Sequence, residues 1–268
     1  MNNTIMPILL VIMILNILIY INSEYVFKMM VYNISPNIYN ASLLNLGYSP
    51  LNYKSDEYLK YSHELYNSII NLSKSYIGDL SKLHIVEIPC VNANSGYHLI
   101  KNFNIKKMTC ITTNKLIIDK NSVSKNSKFK YIYGTYDKLE KYNIKEIDVI
   151  LSVELQKNKY NLYKMIKIVR TILKPNKFWI ICDVFKKNEL NNIYNNLKQN
   201  FFIIKDVIDI THNIIDSISY DSTRKESFIT NIPIIKECMN NLLVTKNSKL
   251  YNELKNGTLT YSIIILSR

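Results

Sequence analysis

HIVEIPCVNANSGYHLIKNF, residues 84–103, has the outline of a buried strand, a sharp turn and the start of a helix. A turn of this kind is where α/β proteins cradle a nucleotide-like ligand, and it is usually crowded with glycine. Here it reads Pro89, Cys90, Val91, Asn92, Ala93, Asn94, Ser95, and the first glycine is Gly96. The layout therefore predicts a ligand-binding turn whose residue types have changed.

Working outward, short apolar runs alternate with helical segments along most of the chain. The runs are Leu83 to Ile88, Met108 to Ile111, Phe129 to Tyr133, Ile147 to Leu151, Phe178 to Cys182 and Phe201 to Ile208. Between them Gly96 to Asn102, Lys115 to Asn121, Tyr160 to Leu173 and Lys187 to Leu197 carry helical spacing, as does Asp56 to Tyr76 before the first run. Such alternation predicts an α/β fold with a doubly wound, Rossmann-like, mostly parallel sheet. A last run, Tyr261 to Leu266, adds one more strand. About 50 residues of helical character precede it, too many for a simple crossover. They are expected to form an insertion, 209–258, covering the end of the sheet where ligands of open α/β folds bind.

Bulk properties narrow the classes. A chain of 268 residues can bury a substantial core, and 5 Gly with 6 Pro leave little for flexible linkers. The net charge of +13 admits a nucleic acid partner, but the lysines are scattered rather than gathered into a stripe with aromatics, so nucleic acid is not the expected partner. Cys90, Cys110, Cys182 and Cys238 form no metal-ligand spacing, and three of them fall on or beside core strands, so buried free thiols and no metal are expected. At the N-terminus Ile5 to Ile21 is an apolar run interrupted only by Pro7 and Asn16. Its length predicts a signal anchor spanning a membrane, or a cleaved signal peptide ending near Ser23. Membrane association, in the endoplasmic reticulum or secretory pathway, follows as an expectation. The organisation expected is thus a hydrophobic segment 1–23, a helical lead-in 24–80 and a main domain 81–268; the oligomeric state is open.

From about Leu44 onward the sequence resembles class I methyltransferases that use S-adenosylmethionine. VILSVELQ followed by IVRTILKPNKFWIICDVF matches the family's fourth strand, helix and fifth strand, with the Leu173 to Pro175 triplet as a hallmark. LNLGYS at Leu44 to Ser49, DITHNIIDSISYDSTR from Asp209 and SKLYNELKNGTLTYSI from Ser248 resemble the subgroup of phthiotriol dimycocerosate methyltransferases. The resemblance implies a seven-stranded methyltransferase sheet and methyl transfer to a hydroxyl of a lipid or small molecule.

The resemblance also says where the cofactor would be held. Glu87 and Cys90 match the acidic residue and turn of the first strand, whereas glycine places fall on Val91, Ala93, Asn94 and Ser95. The carboxylate that bonds the ribose is replaced by Thr112. Gly134 keeps its place, but the aspartate after it, which addresses the adenine amino group, is Thr135. Losing two charge-assisted contacts of ~1.5 to 3 kcal/mol each predicts affinity weakened by ~10² to 10⁴, unless Asp119 or Asp137 substitutes. The family's general base is a histidine after the fourth strand, where this chain has Lys157. Glu154 and Lys157 are the catalytic candidates, with His212 as a further group able to face the same cavity. An inactive, membrane-associated binding or scaffold module is the competing expectation.

Overall fold

A computed structural model describes residues 45–50, 60–90, 94–112, 127–142, 144–155, 161–229 and 236–268. Among them lie seven strands: β1 (His84–Glu87), β2 (Lys107–Thr112), β3 (Phe129–Tyr133), β4 (Val149–Val153), β5 (Phe178–Lys186), β6 (Ile203–Asp209) and β7 (Leu259–Ser267). They form one sheet in the order β3-β2-β1-β4-β5-β7-β6. The first five run parallel, while β7 is inserted antiparallel between β5 and β6. Helices α1 (Lys60–Ile77), α2 (Asn94–Asn102), α3 (Leu162–Ile172) and α4 (Leu190–Gln199) flank it, and α5 (Thr211–Ile229), α6 (Lys236–Leu243) and α7 (Lys249–Lys255) form the insertion before β7. The expected mostly parallel seven-stranded sheet with a late helical insertion is what the chain builds.

Burial explains the strand composition. Every residue of β1, β4 and β7 is buried, as a sheet covered on both faces requires, whereas β6 alternates exposed and half-buried positions because it is the edge. One core unites one face of the sheet with α1, α2 and the insertion, through Leu65, Ile69, Ile85, Cys110, Ile214 and Ile263. The other packs Val86, Ile150, Trp179 and Ile264 against α3 and α4. The Leu173 to Pro175 triplet now has a mechanical role. Asn161 caps the start of α3, Leu173 closes it through Val169, and a turn with Asn176 at φ +62° sends the chain into β5.

Among the boundaries that differ from the periodicity reading, two turn on an aspartate. The strand expected over Ile147 to Leu151 starts at Val149, because Asp148 is spent on the sheet's lower rim. There it accepts the His84 N–H at 2.8 Å and the Lys177 ammonium at 2.6 Å. Although burial opposes it, the His84 N–H and Lys177 hold the Asp148 carboxyl below its ordinary pKa. Strand β5 runs four residues beyond Cys182, carrying a fully buried Asp183 opposite Ser262 of β7. The helix expected over Lys115 to Asn121 lies outside the described residues.

The membrane expectation is corrected. Among the described residues no helix is long and apolar enough to cross a membrane, since the longest ones, α1 and α5, carry charged and polar residues throughout. No N-terminal hydrophobic helix is part of the described fold, and residues 5–21, on which the transmembrane, membrane-partner and secretory-pathway readings rested, lie outside the described residues.

Candidate functional site

The strand order reverses between β1 and β4, and their C-terminal ends open the crevice where a ligand of such a sheet would sit. Glu87 closes β1 at that point with only 1% of its surface exposed. The chain's own side chains surround its carboxylate. Tyr66 of α1 donates to Oε1 at 2.7 Å, Ser95 in the first turn of α2 donates to Oε2 at 2.6 Å, and the Cys110 thiol of β2 approaches Oε2 at 3.4 Å. Burial pushes the Glu87 pKa above the ordinary carboxyl value, while the bonds from Ser95 and Tyr66 pull against it. Burial likewise raises the Cys90 thiol to about 11.

Ser95 is one of the four residues at which the resemblance expects glycine, and Tyr66 came without any signal in the helical spacing of α1. The chain after Glu87 passes through Pro89 to Cys90, whose N–H donates to Ile111 O at 2.8 Å and so holds the turn against β2. Val91 and Ala93 lie outside the described residues. Gly96 seats α2 on the sheet: a Cβ there would stand 2.4 Å from the Phe129 ring and 2.6 Å from the Cys110 sulfur.

Thr112 ends β2 and is 3% exposed, its carbonyl accepting the Gly134 N–H at 2.8 Å. Gly134 is required for packing, since a Cβ would fall 1.9 Å from the Tyr142 hydroxyl, which donates to Thr135 O. Thr135 itself is exposed. Asp119 and Lys157 lie outside the described residues, as does the side chain of Asp137.

Glu154 follows β4 in a left-handed conformation, φ +52°, and is 1% exposed. Its Oε1 accepts the Leu46 backbone N–H at 2.7 Å and the Tyr261 hydroxyl at 3.1 Å. The carboxylate thereby ties the lead-in strap 45–49 to the end of the sheet. That strap is also held by the insertion: Ser217 donates to Leu46 O at 2.6 Å, and Asn213 donates to Ser49 O at 2.8 Å. His212 points outward, 72% exposed, beside Asp216 at 3.5 Å. Asp221 is bridged by Lys225 at 2.9 Å, while the Arg224 side chain lies outside the described residues. The fold brings Glu87, Cys90 and Thr112 to one end of the sheet with Glu154 on the neighbouring strand; it leaves His212 on the surface.

No protein-family description and no curated protein matches this chain. Solved structures do. A sarcosine dimethylglycine methyltransferase from Galdieria sulphuraria is 11% identical with a TM-score of 0.66, over 88% of this chain and 97% of that one. The cyclase SpnF aligns at TM-score 0.67 and 12% identity, covering 92% of this chain and 96% of that one. A cyclopropane synthase from Mycobacterium tuberculosis aligns at 0.64 and 10%, covering 88% and 95%. At such identities the likeness shows the fold: this chain has the class I S-adenosylmethionine-dependent methyltransferase fold.

Proposed function

We propose that this is a methyltransferase-like protein whose grip on S-adenosylmethionine is weakened so far that the domain serves as a binding or scaffold module rather than as an efficient methyltransferase. The observation that carries the reading is the state of Glu87. In a binding site that carboxylate must be free to meet the ligand; here Tyr66, Ser95 and Cys110 take it up. Hydroxyl-bearing Thr112 and Thr135 stand at the two further positions where the resemblance calls for charge. The residues present do not fit the cofactor's ordinary grip. Glu154 fits a structural latch better than a general base, because a base must reach the proton it abstracts and this oxygen is turned to Leu46 and Tyr261.

A second reading, methyl transfer to a hydroxyl of a lipid or small molecule, has one observation in its favour. The insertion α5 to α7 and the strap 45–49 are both packed over the end of the sheet, as an enclosed acceptor cavity would need. Titration of the protein with S-adenosylhomocysteine in a calorimeter separates the two. Weak or absent binding at millimolar ligand is expected, and tight saturable binding overturns the first reading. Ser95→Gly, which removes a hydroxyl from Glu87, is expected to raise affinity over the parent chain; no change would mean that Ser95 does not close the site.

A further inference from the structure

The spacing of the cysteines carries no metal signature, yet the register of β1 and β2 assembles one. Glu87 and Cys110 are directly paired residues of adjacent parallel strands, and the Cys90 N–H bond to Ile111 folds the turn back over them. A carboxylate oxygen of Glu87 and the sulfurs of Cys90 and Cys110 consequently all lie within 4.8 Å of one another, in a fully buried group. We propose that Glu87, Cys90 and Cys110 form a zinc site that staples the end of β1, the following turn and β2.

Ligand geometry supports this. With Zn–S near ~2.3 Å and Zn–O near ~2.0 Å, tetrahedral sulfur and oxygen ligands stand about 3.5 Å apart. The Cys110 Sγ to Glu87 Oε2 separation is 3.4 Å. The ion needs no large rearrangement to enter between them. Ser95 Oγ lies 3.8 Å from Cys90 Sγ and 2.6 Å from Glu87 Oε2. The short contact to Oε2 lets it act as the partner that orients the ligating carboxylate. Tyr66 does the same for Oε1 at 2.7 Å. Such outer hydrogen bonds fix a ligating carboxylate in place.

The composition of the cluster points the same way. Two thiols and a carboxyl group are packed together with two neutral hydroxyls, so the group offers three ligands that are anionic once deprotonated. A divalent cation with a taste for sulfur matches that set, whereas calcium or magnesium, which need six or more oxygens or retained waters, does not. Binding displaces the two thiol protons to solvent, and no electron is transferred. Gly96 leaves the Cys110 sulfur the room this requires, since any side chain there would press on it at 2.6 Å.

The test uses the full chain, purified without chelator, with zinc measured by elemental analysis and the site then refilled with cobalt(II). The expected result is about one zinc per chain, and a thiolate-to-cobalt charge-transfer band with the visible spectrum of a tetrahedral site. Cys90→Ser and Cys110→Ser should each weaken cobalt binding at least tenfold, while Cys182→Ala, a buried thiol of β5, should leave it unchanged. Should either serine variant fail to fold, proton release on zinc addition to the chelator-stripped wild-type chain reports the same ligands, with two protons expected per zinc. Wild-type protein that neither retains zinc nor gives the charge-transfer band overturns the proposal. So does a band that survives in both serine variants.

Discussion

The two halves of the sheet have been treated differently. On one side β4, β5 and β7 with the insertion form a frame in which buried polar groups find partners: Trp179 Nε1 donates to Ser152, Ser152 donates to Ile88 O, and Glu154 accepts from Leu46 and Tyr261. On the other side, at the ends of β1 and β2, polar side chains from separate elements converge on one buried carboxylate, that of Glu87. A fold survives exchange at recognition positions because sheet and core depend on strand pairing and apolar burial, whereas recognition depends on a few well-placed charges that the fold does not need.

The largest test of this contrast lies in the frame. Trp179 is fully buried, packs against Phe202 with ring centroids 5.4 Å apart and planes tilted by 55°, and donates to Ser152 at 3.1 Å. Trp179→Ala is expected to cost about 3 to 5 kcal/mol in denaturant unfolding. A loss under about 1 kcal/mol would break the picture of a close-packed frame. Next in size is the strap. Gly47 has φ +78°, and a Cβ would stand 2.8 Å from Tyr61 Cβ and 2.9 Å from Ser217 Oγ. Gly47→Ala should therefore destabilise by about 1 to 3 kcal/mol, by strain and overpacking together. Proteolysis that speeds up first at the strap would locate the damage there.

On the grip side, restoring a charge should barely touch the fold. Thr135 is exposed, so Thr135→Asp is expected to move unfolding stability by no more than about 0.5 kcal/mol. A larger loss would show that the grip positions also serve the frame. The subtlest effect is one of pH, at the seam between α1 and α2. His63 and His98 stack at 4.2 Å, 5° from parallel, and His98 Nε2 donates to Asn67 Oδ1 at 2.9 Å. Burial, then the neighbouring His63 and Lys101, lower His98 from 6.5 to about 4. Between those values the unfolded chain binds the proton that the folded chain refuses. Stability from this residue is therefore complete above about pH 6.5 and lost as pH falls towards 4. Glu87, whose value is raised by burial, acts with the opposite sign, its contribution fading as pH rises through the folded value. A His98→Asn chain should show a flatter melting profile across that acid window; an unchanged slope would place the acid sensitivity elsewhere.

Much of the frame could be read from residue order. Continuous apolar runs such as Phe178 to Cys182 need cover on both faces, and helical stretches between them supply it, so the layered sheet follows from burial alone. The Leu173 to Pro175 stop and the long segment before Tyr261 likewise announce a helix end and an insertion. Less visible were the places where a polar residue decides the edge. Asp148 shortens β4 at its start because it bonds His84 and Lys177, and Asp183 sits inside β5 although its type suggests an end. The membrane helix expected at the N-terminus has no counterpart among the described helices, none of which is apolar enough to span.

Sequence by itself determined that this protein is a doubly wound α/β domain whose turn after the first strand has no glycine before Gly96, because both statements rest on local residue types and on periodicity. Only the tertiary structure decided which side chains meet the buried carboxylates. Tyr66, Ser95 and Cys110 converge on Glu87 from α1, α2 and β2, and Leu46 reaches Glu154 across 108 positions of chain. Partners that distant are set by strand register and helix packing, which no window along the sequence contains.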